Sequence, residues 1–259
     1  MSKVFYKIEN GVGIIILNRP EKLNAFNDEM LEQLIKTVTS AIQDSSVHSI
    51  ILTGEGRAFS SGGDVINAAS RVNDVVSLRK KMEDLTRLIC ELCSTPKPVI
   101  SAINGSAIGA GLGLALTGDL IVASTNAIFS APFLRIGLVA DGGVSYLATR
   151  RIGTEKTKRL LLTNETINAK TANEWGLVDW IVEPEELLPY SIQLAERLAQ
   201  SSKSSVGMIK SIMNNINNLT METALEQEMN TQIQSFLTDE HKQRVKELVE
   251  KMSKKTSLM

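Results

Sequence analysis

Metal ligands and partners for a nucleophile are scarce in this chain of 259 residues, which has two histidines, His48 and His241, and two cysteines, Cys90 and Cys93. A tetrahedral zinc site needs four such ligands together, and the CxxC of RLICELCSTPKPVI has no second pair to complete one. Its place among Leu85, Leu88, Ile89 and Leu92, at helical spacing, predicts two small core side chains rather than a redox couple. No run reaches the roughly 18 apolar residues of a membrane-spanning helix. MSKVFYKIENGVGIIILNRP also lacks the apolar core and cleavage site of a secretory leader, and KKTSLM at the other end is not an SKL-type address, so the expected location is the cytoplasm. Charge of one sign is missing too. With 28 basic and 29 acidic residues the formal net charge is −1, so neither nucleic acid nor a membrane surface is an expected partner.

What the chain does have is aliphatic patterning, at 43% hydrophobic residues, on a length that can bury one large α/β core with an appended subdomain. GIIILN and SIILTG read as strands with helical MLEQLIKTVTSAI between them, the pattern of a βαβ unit. A helix over about residues 76–94 leads into the strand KPVISAI, a glycine-rich run, and then DLIVAS and AIFSA. From about residue 155 helical periodicity takes over, at 155–163, 169–175, 184–199, 205–217, 221–237 and 239–253, with LVDWIV alone extended. The expected layout is an α/β core over 1–195 and a helical C-terminal subdomain over 196–259. MNNINNLTMETALEQEMN, rich in Met and Asn and low in charge, reads equally as a subunit face and as packing within the chain.

Two glycine-rich segments, GEGRAFSSGGDV and INGSAIGAGLGLALTG, follow strands and open helices, where backbone N–H groups are free. Gly109, Gly111 and Gly113 give GxGxG, not the GxGxxG of a dinucleotide turn, and Asp119 follows too closely to be the ribose acid. Neither segment ends in the Gly-Lys-Ser/Thr of a phosphate loop. Spacing leaves two readings open: the glycines serve turns and tight helix–strand packing, or each turn donates one N–H to a developing oxyanion. Asp141, in GLVADGGVSY, is open in the same way between an N-cap and the only acid of an active site.

In this order and spacing, LNRPEKLNAFNDEM, GRAFSSGGDV, KPVISAINGSAIGAGLGLALTGDL, GLVADGGVSYLATRRIG and AKTANEWGLVDWIV resemble the crotonase (enoyl-CoA hydratase/isomerase) superfamily over nearly the whole chain. The resemblance implies an α/β fold, a spiral of repeated ββα turns with a helical C-terminal region, assembled as a homotrimer or a dimer of trimers. It implies an acyl-CoA thioester substrate, with coenzyme A entering as part of the substrate and no separate cofactor or metal. Backbone N–H groups at Ser60 and Ala110 are implied to hold the thioester oxygen. Lys22 and Ala25 fall where the family lines the CoA nucleotide, and Ser61, Gly62, Gly63 and Asp64 where it meets adenine and pantetheine.

The departures from the family decide the expected reaction. Hydratases of this superfamily use two glutamates, whose positions here read Gly113 and Phe133. Hydration needs one group for the water and another for the α-proton, so its loss is expected, and Phe133 is expected to exclude water. Asp141 aligns with the single acid of isomerase-type members, in a GLxPDxGG motif where Ala140 replaces the proline. One carboxylate suffices for a 1,3-proton shift, and a wall of Phe133, Ile136, Leu138 and Val139 is expected to desolvate it and raise its pKa. The expected activity is conversion of 3-enoyl-CoA to 2-enoyl-CoA, with Asp141 as the shuttling base. The alternatives are a ring 1,2-epoxyphenylacetyl-CoA isomerase, with a similar single aspartate, and a non-catalytic acyl-CoA binding subunit. A serine hydrolase on Ser60 or Ser61 is disfavoured, because neither lies in a GxSxG elbow. The acyl pocket is expected within about residues 65–85.

Overall fold

Runs of aliphatic residues with no polar interruption fold here as strands buried on both faces, as interior parallel strands require. The structure, a computed structural model, describes residues 2–64 and 74–256. Its strands are β1 (Val4–Glu9), β2 (Val12–Leu17), β3 (Ser49–Gly54), β4 (Ala58–Ser60), β5 (Val99–Ile103), β6 (Ser106–Ile108), β7 (Leu120–Ser124), β8 (Ile128–Ser130), β9 (Thr166–Asn168) and β10 (Trp180–Val182). Its helices are α1 (Asp28–Gln43), α2 (Val75–Ser94), α3 (Ala110–Ala115), α4 (Val144–Thr163), α5 (Ala169–Trp175), α6 (Leu187–Ala199), α7 (Lys203–Asn215), α8 (Met221–Leu237) and α9 (Asp239–Thr256).

The strands form a six-stranded sheet, β1-β2-β3-β5-β7-β10, and a four-stranded sheet, β4-β6-β8-β9. The large sheet is parallel from β2 onward, with β1 antiparallel at its edge, and Ile14, Ile51 and Ile100 stand in register across it. These three, with Leu187, Leu194 and Ala195 of α6, make one core layer, while the alternate residues Ile15, Ile50 and Ile103 face the larger layer under α1 and α2. α1 is started by Asn27, whose side chain accepts the Met30 N–H, and it buries Met30, Leu31, Leu34, Ile35, Val38 and Ala41 along one stripe.

Each of three successive turns lays one strand in the large sheet and the next in the small sheet: β3 then β4, β5 then β6, β7 then β8. This is the spiral of ββα turns implied by the family motifs. Its consequence for function is positional, because β4, β6 and β8 run parallel as neighbours and their carboxyl ends open side by side. That is where parallel strands present loops to a ligand.

Several expectations need correction. β9, which pairs antiparallel with β8, lies between two of the expected helices, so LVDWIV is not the only extended segment after residue 155; three residues are too few to show a period. LVDWIV is a strand only from Trp180, and Leu177 and Val178 enter the core before it. Cys90 is exposed rather than buried and Cys93 is half-buried, with its thiol pushed up to about 11 by burial. Residues 65–73 of the expected acyl pocket lie outside the described residues.

Among the described residues beyond Ala195, only Lys210 and Ala224 are buried. α8 leaves Met221, Leu225, Met229, Ile233 and Phe236 exposed, close to the i, i+4 spacing of one helical face. No helix among the described residues is long and apolar enough to cross a membrane. α7 is fastened to the core by Lys210, whose Nζ lies 2.8 Å from Asp119 Oδ2 and donates to the carbonyls of Leu92 and Lys97. Burial nevertheless pushes the Asp119 carboxyl above its ordinary range, against the lowering effect of Lys210.

Removing one partner of a buried pair strands the other charge. Lys210→Met is expected to lower the unfolding free energy in urea by about 3 kcal/mol, the low end of the usual cost because the Asp119 side chain keeps 27% of its exposure. Adding Asp119→Asn should restore part of it; a Lys210→Met protein as stable as wild type would contradict this fastening.

Candidate active site

Asn24 organises the first of the loops that meet at the open end of the small sheet. It is fully buried and follows Leu23 in the left-handed region, φ 55° after 52°. Its Oδ1 accepts the Arg19 N–H at 2.7 Å, and its Nδ2 donates to the carbonyls of Glu55 and Ala58 at 3.0 and 2.8 Å. The turn over residues 19–25 is thereby pinned to the segment that enters β4. Ser60, at the end of β4, is also fully buried; its Oγ donates to the Asn24 carbonyl at 2.8 Å and accepts the Gly62 N–H at 3.1 Å. Arg19 completes the fastening by donating to the Ala25 carbonyl and to Asp64 Oδ2 at 2.8 Å, an ion pair with side chains 12% and 14% exposed.

These bonds orient the backbone of residues 61–64. The Ser61 N–H reaches the Leu23 carbonyl, the Phe26 N–H reaches the Gly62 carbonyl, and the Asp64 N–H reaches the Phe26 carbonyl. The last two form a parallel bridge between Phe26 and Gly63, and in such a bridge the N–H of the bridged residue points to the opposite side. Gly63 is exposed, and a Cβ added there would meet nothing within 4 Å. Its N–H is thus directed away from Phe26, and among the described residues no backbone carbonyl accepts it. Gly62, at φ 84°, presses on the start of α3, where a Cβ would stand 3.0 Å from the Ala110 nitrogen; only glycine allows that approach.

α3 begins after Gly109, which has no capping side chain, so the Ala110 N–H at its first position has no intrahelical acceptor. The Phe133 ring, 8% exposed, lies 3.8 Å from where a Cβ on Gly109 would be. On the other side, Gly142 packs on Ala110, with a Cβ at 142 falling 3.3 Å from the Ala110 Cα. A Cβ at Gly113 would collide with the Gly142 carbonyl. Gly63 after β4, Ala110 after β6, and Phe133 with the turn bearing Asp141 after β8 are therefore brought together at the ends of the three parallel strands.

Asp141 does not cap α4. The N-cap is Gly143, at φ 80° and without a side-chain bond, and Asp141 contributes only its carbonyl, to the Val144 N–H at 3.1 Å. Its Oδ1 is buried with no hydrogen-bond partner. Burial pushes the Asp141 carboxyl above its ordinary range, opposed by its own backbone N–H and by the Lys81 charge from α2. The expected apolar wall is mostly absent: Phe133 is buried, but Ile136, Leu138 and Val139 are 52%, 52% and 81% exposed. The packing neighbours of this turn are instead α3, through Gly142, and Ile89, 3.2 Å from a Cβ position on Gly143.

Lys22 is exposed and Ala25 buried, both in the turn that Ser61 contacts. The Ser60 hydroxyl donates to the Asn24 carbonyl rather than to a histidine, and His241 stacks edge-on to Phe236. Motif reading missed Arg19 and Asn24 as supports, although both lie in LNRPEKLNA. It also missed Lys81, which donates to the Phe26 carbonyl at 3.4 Å.

A family model described as Enoyl-CoA hydratase/isomerase matches residues 7–256. The 1,2-epoxyphenylacetyl-CoA isomerase of Escherichia coli (strain K12) is 35% identical over 237 residues, covering 90% of this chain and 89% of that protein. The trans-2-decenoyl-[acyl-carrier-protein] isomerase of Streptococcus mutans is 33% identical, covering 82% and 81%. The crystal structure of an enoyl-CoA hydratase from Bacillus anthracis matches with a TM-score of 0.92 and 26% identity, covering 96% of each chain.

The Asp141 shift has a stability consequence. A carboxyl whose folded pKa exceeds its unfolded value binds its proton more tightly in the fold, so stability falls as pH rises through that window and the full cost persists at neutral pH. Asp141→Asn is expected to melt above wild type at pH 7, by about 2–4 °C per kcal/mol released. The difference should vanish once the pH falls below the ordinary carboxylate range. Equal or lower melting of the variant at pH 7 would show that the carboxylate is stabilised by the fold.

Proposed function

The chain belongs to the enoyl-CoA hydratase/isomerase family, and on that premise we propose that it is an isomerase, moving the double bond of a 3-enoyl-CoA to the 2,3 position with Asp141 as its sole proton carrier. The observation that carries this reading is the Asp141 carboxyl itself, on a half-buried residue, with a buried and unpartnered Oδ1, on a turn packed against Ala110. Such a group is costly to the fold and suited to a proton transfer.

In the proposed reaction the thioester carbonyl oxygen accepts the N–H groups of Gly63 and Ala110. Ala110 is as the family motifs imply; Gly63 replaces Ser60, whose fully buried position and committed hydroxyl suit it to holding the loop from beneath. Asp141 takes a proton from the α-carbon, the two donors stabilise the enolate, and the same carboxyl returns the proton at the γ-carbon. Each donor is typically worth about 10²–10³ in rate, and the base about 10²–10⁴. Burial raises the affinity of Asp141 for the transferred proton, so it can hold that proton between the two carbons.

Hydration is disfavoured because a second acid has no seat. Gly113 lies against the Gly142 carbonyl, and Phe133 occupies the space beside Gly109. Lys22 and Ala25, beside Ser61–Asp64, are the proposed lining for the CoA nucleotide, with Lys22 the exposed cation among them. A homotrimer or dimer of trimers in the cytoplasm is the proposed setting, the exposed stripe of α8 being a face for a second copy. A second reading, isomerisation of ring 1,2-epoxyphenylacetyl-CoA, is favoured by the relative at 35% identity; it uses the same two donors and the same acid.

The test is turnover of a medium-chain 3-enoyl-CoA, followed as the conjugated 2-enoyl thioester appears. Wild type is expected to convert it and Asp141→Asn to be slower by about a hundredfold or more, with activity rising with pH as Asp141 ionises above the usual carboxylate range. Conversion of the ring epoxide alone would select the second reading. Thioester binding without turnover of either substrate would leave a binding subunit.

A further inference from the structure

α3 is six residues long and every one of them is buried. Its two glycines, Gly111 and Gly113, sit two positions apart, which on a helix turns them about 200° from each other, onto opposite sides. A Cβ on Gly111 would collide with the Ser60 carbonyl, 2.8 Å from its carbon. On Gly113 it would collide with the Gly142 carbonyl, likewise 2.8 Å from its carbon. The helix is therefore held between two backbones with no side chain of its own as spacer. One is the strand that leads to Gly63; the other is the turn that follows Asp141.

The geometry points to Gly113 as a positioning residue, whose missing side chain sets how close the Asp141 carboxyl stands to the N–H of Ala110. This rests on the reading of Asp141 as the proton carrier. Even a methyl group at 113 has to be accommodated by a backbone, because the obstacle is a carbonyl and not the end of a flexible side chain. Two segments meet there, α3 and the turn over residues 141–143. α3 is fixed by β4 on its far side and by Phe133 at Gly109. The turn is the freer of the two, since Ile136, Leu138 and Val139 just before it are exposed. A Cβ at 113 is thus expected to lift the turn and withdraw Asp141 from a thioester still held by Gly63 and Ala110.

The experiment compares wild type, Asp141→Asn, Gly113→Ala, Asp141→Glu and the Gly113→Ala/Asp141→Glu double variant on the 3-enoyl-CoA assay, with melting curves for each. Gly113→Ala is expected to lose about a hundredfold in kcat, the usual cost of roughly an ångström of misplacement, with KM within about threefold of wild type. The longer carboxylate should recover at least about tenfold of that loss in the double variant, although Asp141→Glu alone impairs the wild type. A purely structural role for Gly113 has no reason to be rescued by lengthening residue 141. Folded Gly113→Ala with kcat within about twofold of wild type, or no rescue by Glu, overturns the inference while leaving Asp141 as the base. Wild-type turnover unaffected by Asp141→Asn overturns the underlying reading and the inference with it. If Gly113→Ala does not fold, a crystal structure of wild type with a non-isomerisable thioether analogue decides. Van der Waals contact between the Gly113 Cα and the Gly142 carbonyl supports the inference, and a gap that admits a methyl group overturns it.

Discussion

A short helix clamped between two backbones is the constraint on which the rest of the site depends. α3 can be approached this closely only because Gly111 and Gly113 present no side chain to the carbonyls of Ser60 and Gly142. The parallel order β4-β6-β8 places the three loops side by side, and the clamp then brings them within reach of one small group. In this chain a Cβ on either glycine would have to displace one of these carbonyls, and with it the loop that carries it. The ring of Phe133 and the pinned turn around Asn24 serve the same end, each fixing one loop from behind.

Electrostatics in this small space runs against the fold. Asp141 is desolvated and its Oδ1 has no hydrogen-bond partner, so the protein carries a carboxyl in a setting that favours its protonated form. The opposing influences are its own backbone N–H and the charge of Lys81, the latter lying 3.5 Å from Asp28 and reaching the Phe26 carbonyl. The balance leaves a base stronger than an exposed aspartate. Asp119 shows the contrasting arrangement: also pushed up by burial, it is met by Lys210 at 2.8 Å and by the Val99 N–H, and it fastens a helix.

Much of this was legible in the sequence, for identifiable reasons. The aliphatic runs of β2, β3 and β5 have only one sensible place in an α/β protein, and α1, α2, α5 and α8 fell within a residue or two of where their periodicity places them. Asp141 stood out as a candidate acid only through its motif, since GLVADGGVSY also reads as a helix cap; the capping reading fails because Gly143 takes the cap position. What was not legible concerned direction. Ser60 and Gly63 are three residues apart, and which of them turns its N–H outward depends on the bridge to Phe26, a contact that no local pattern announces. The apolar wall failed for a related reason: Ile136, Leu138 and Val139 are apolar by type but exposed, whereas the turn around Asp141 is covered by backbone of α3. Cys90 likewise sits at a helical position that turned out to face solvent.

The central claim, that one sheltered carboxylate carries a proton from the α- to the γ-carbon of an enoyl thioester, is tested most directly by running the 3-enoyl-CoA reaction in deuterium oxide and reading the γ-carbon of the product by mass spectrometry. The account predicts that part of the product keeps the protium moved from the α-carbon, and that Asp141→Asn removes both the conversion and the transfer. Product deuterated at the γ-carbon to the level of the solvent, formed at undiminished rate by Asp141→Asn, would contradict it.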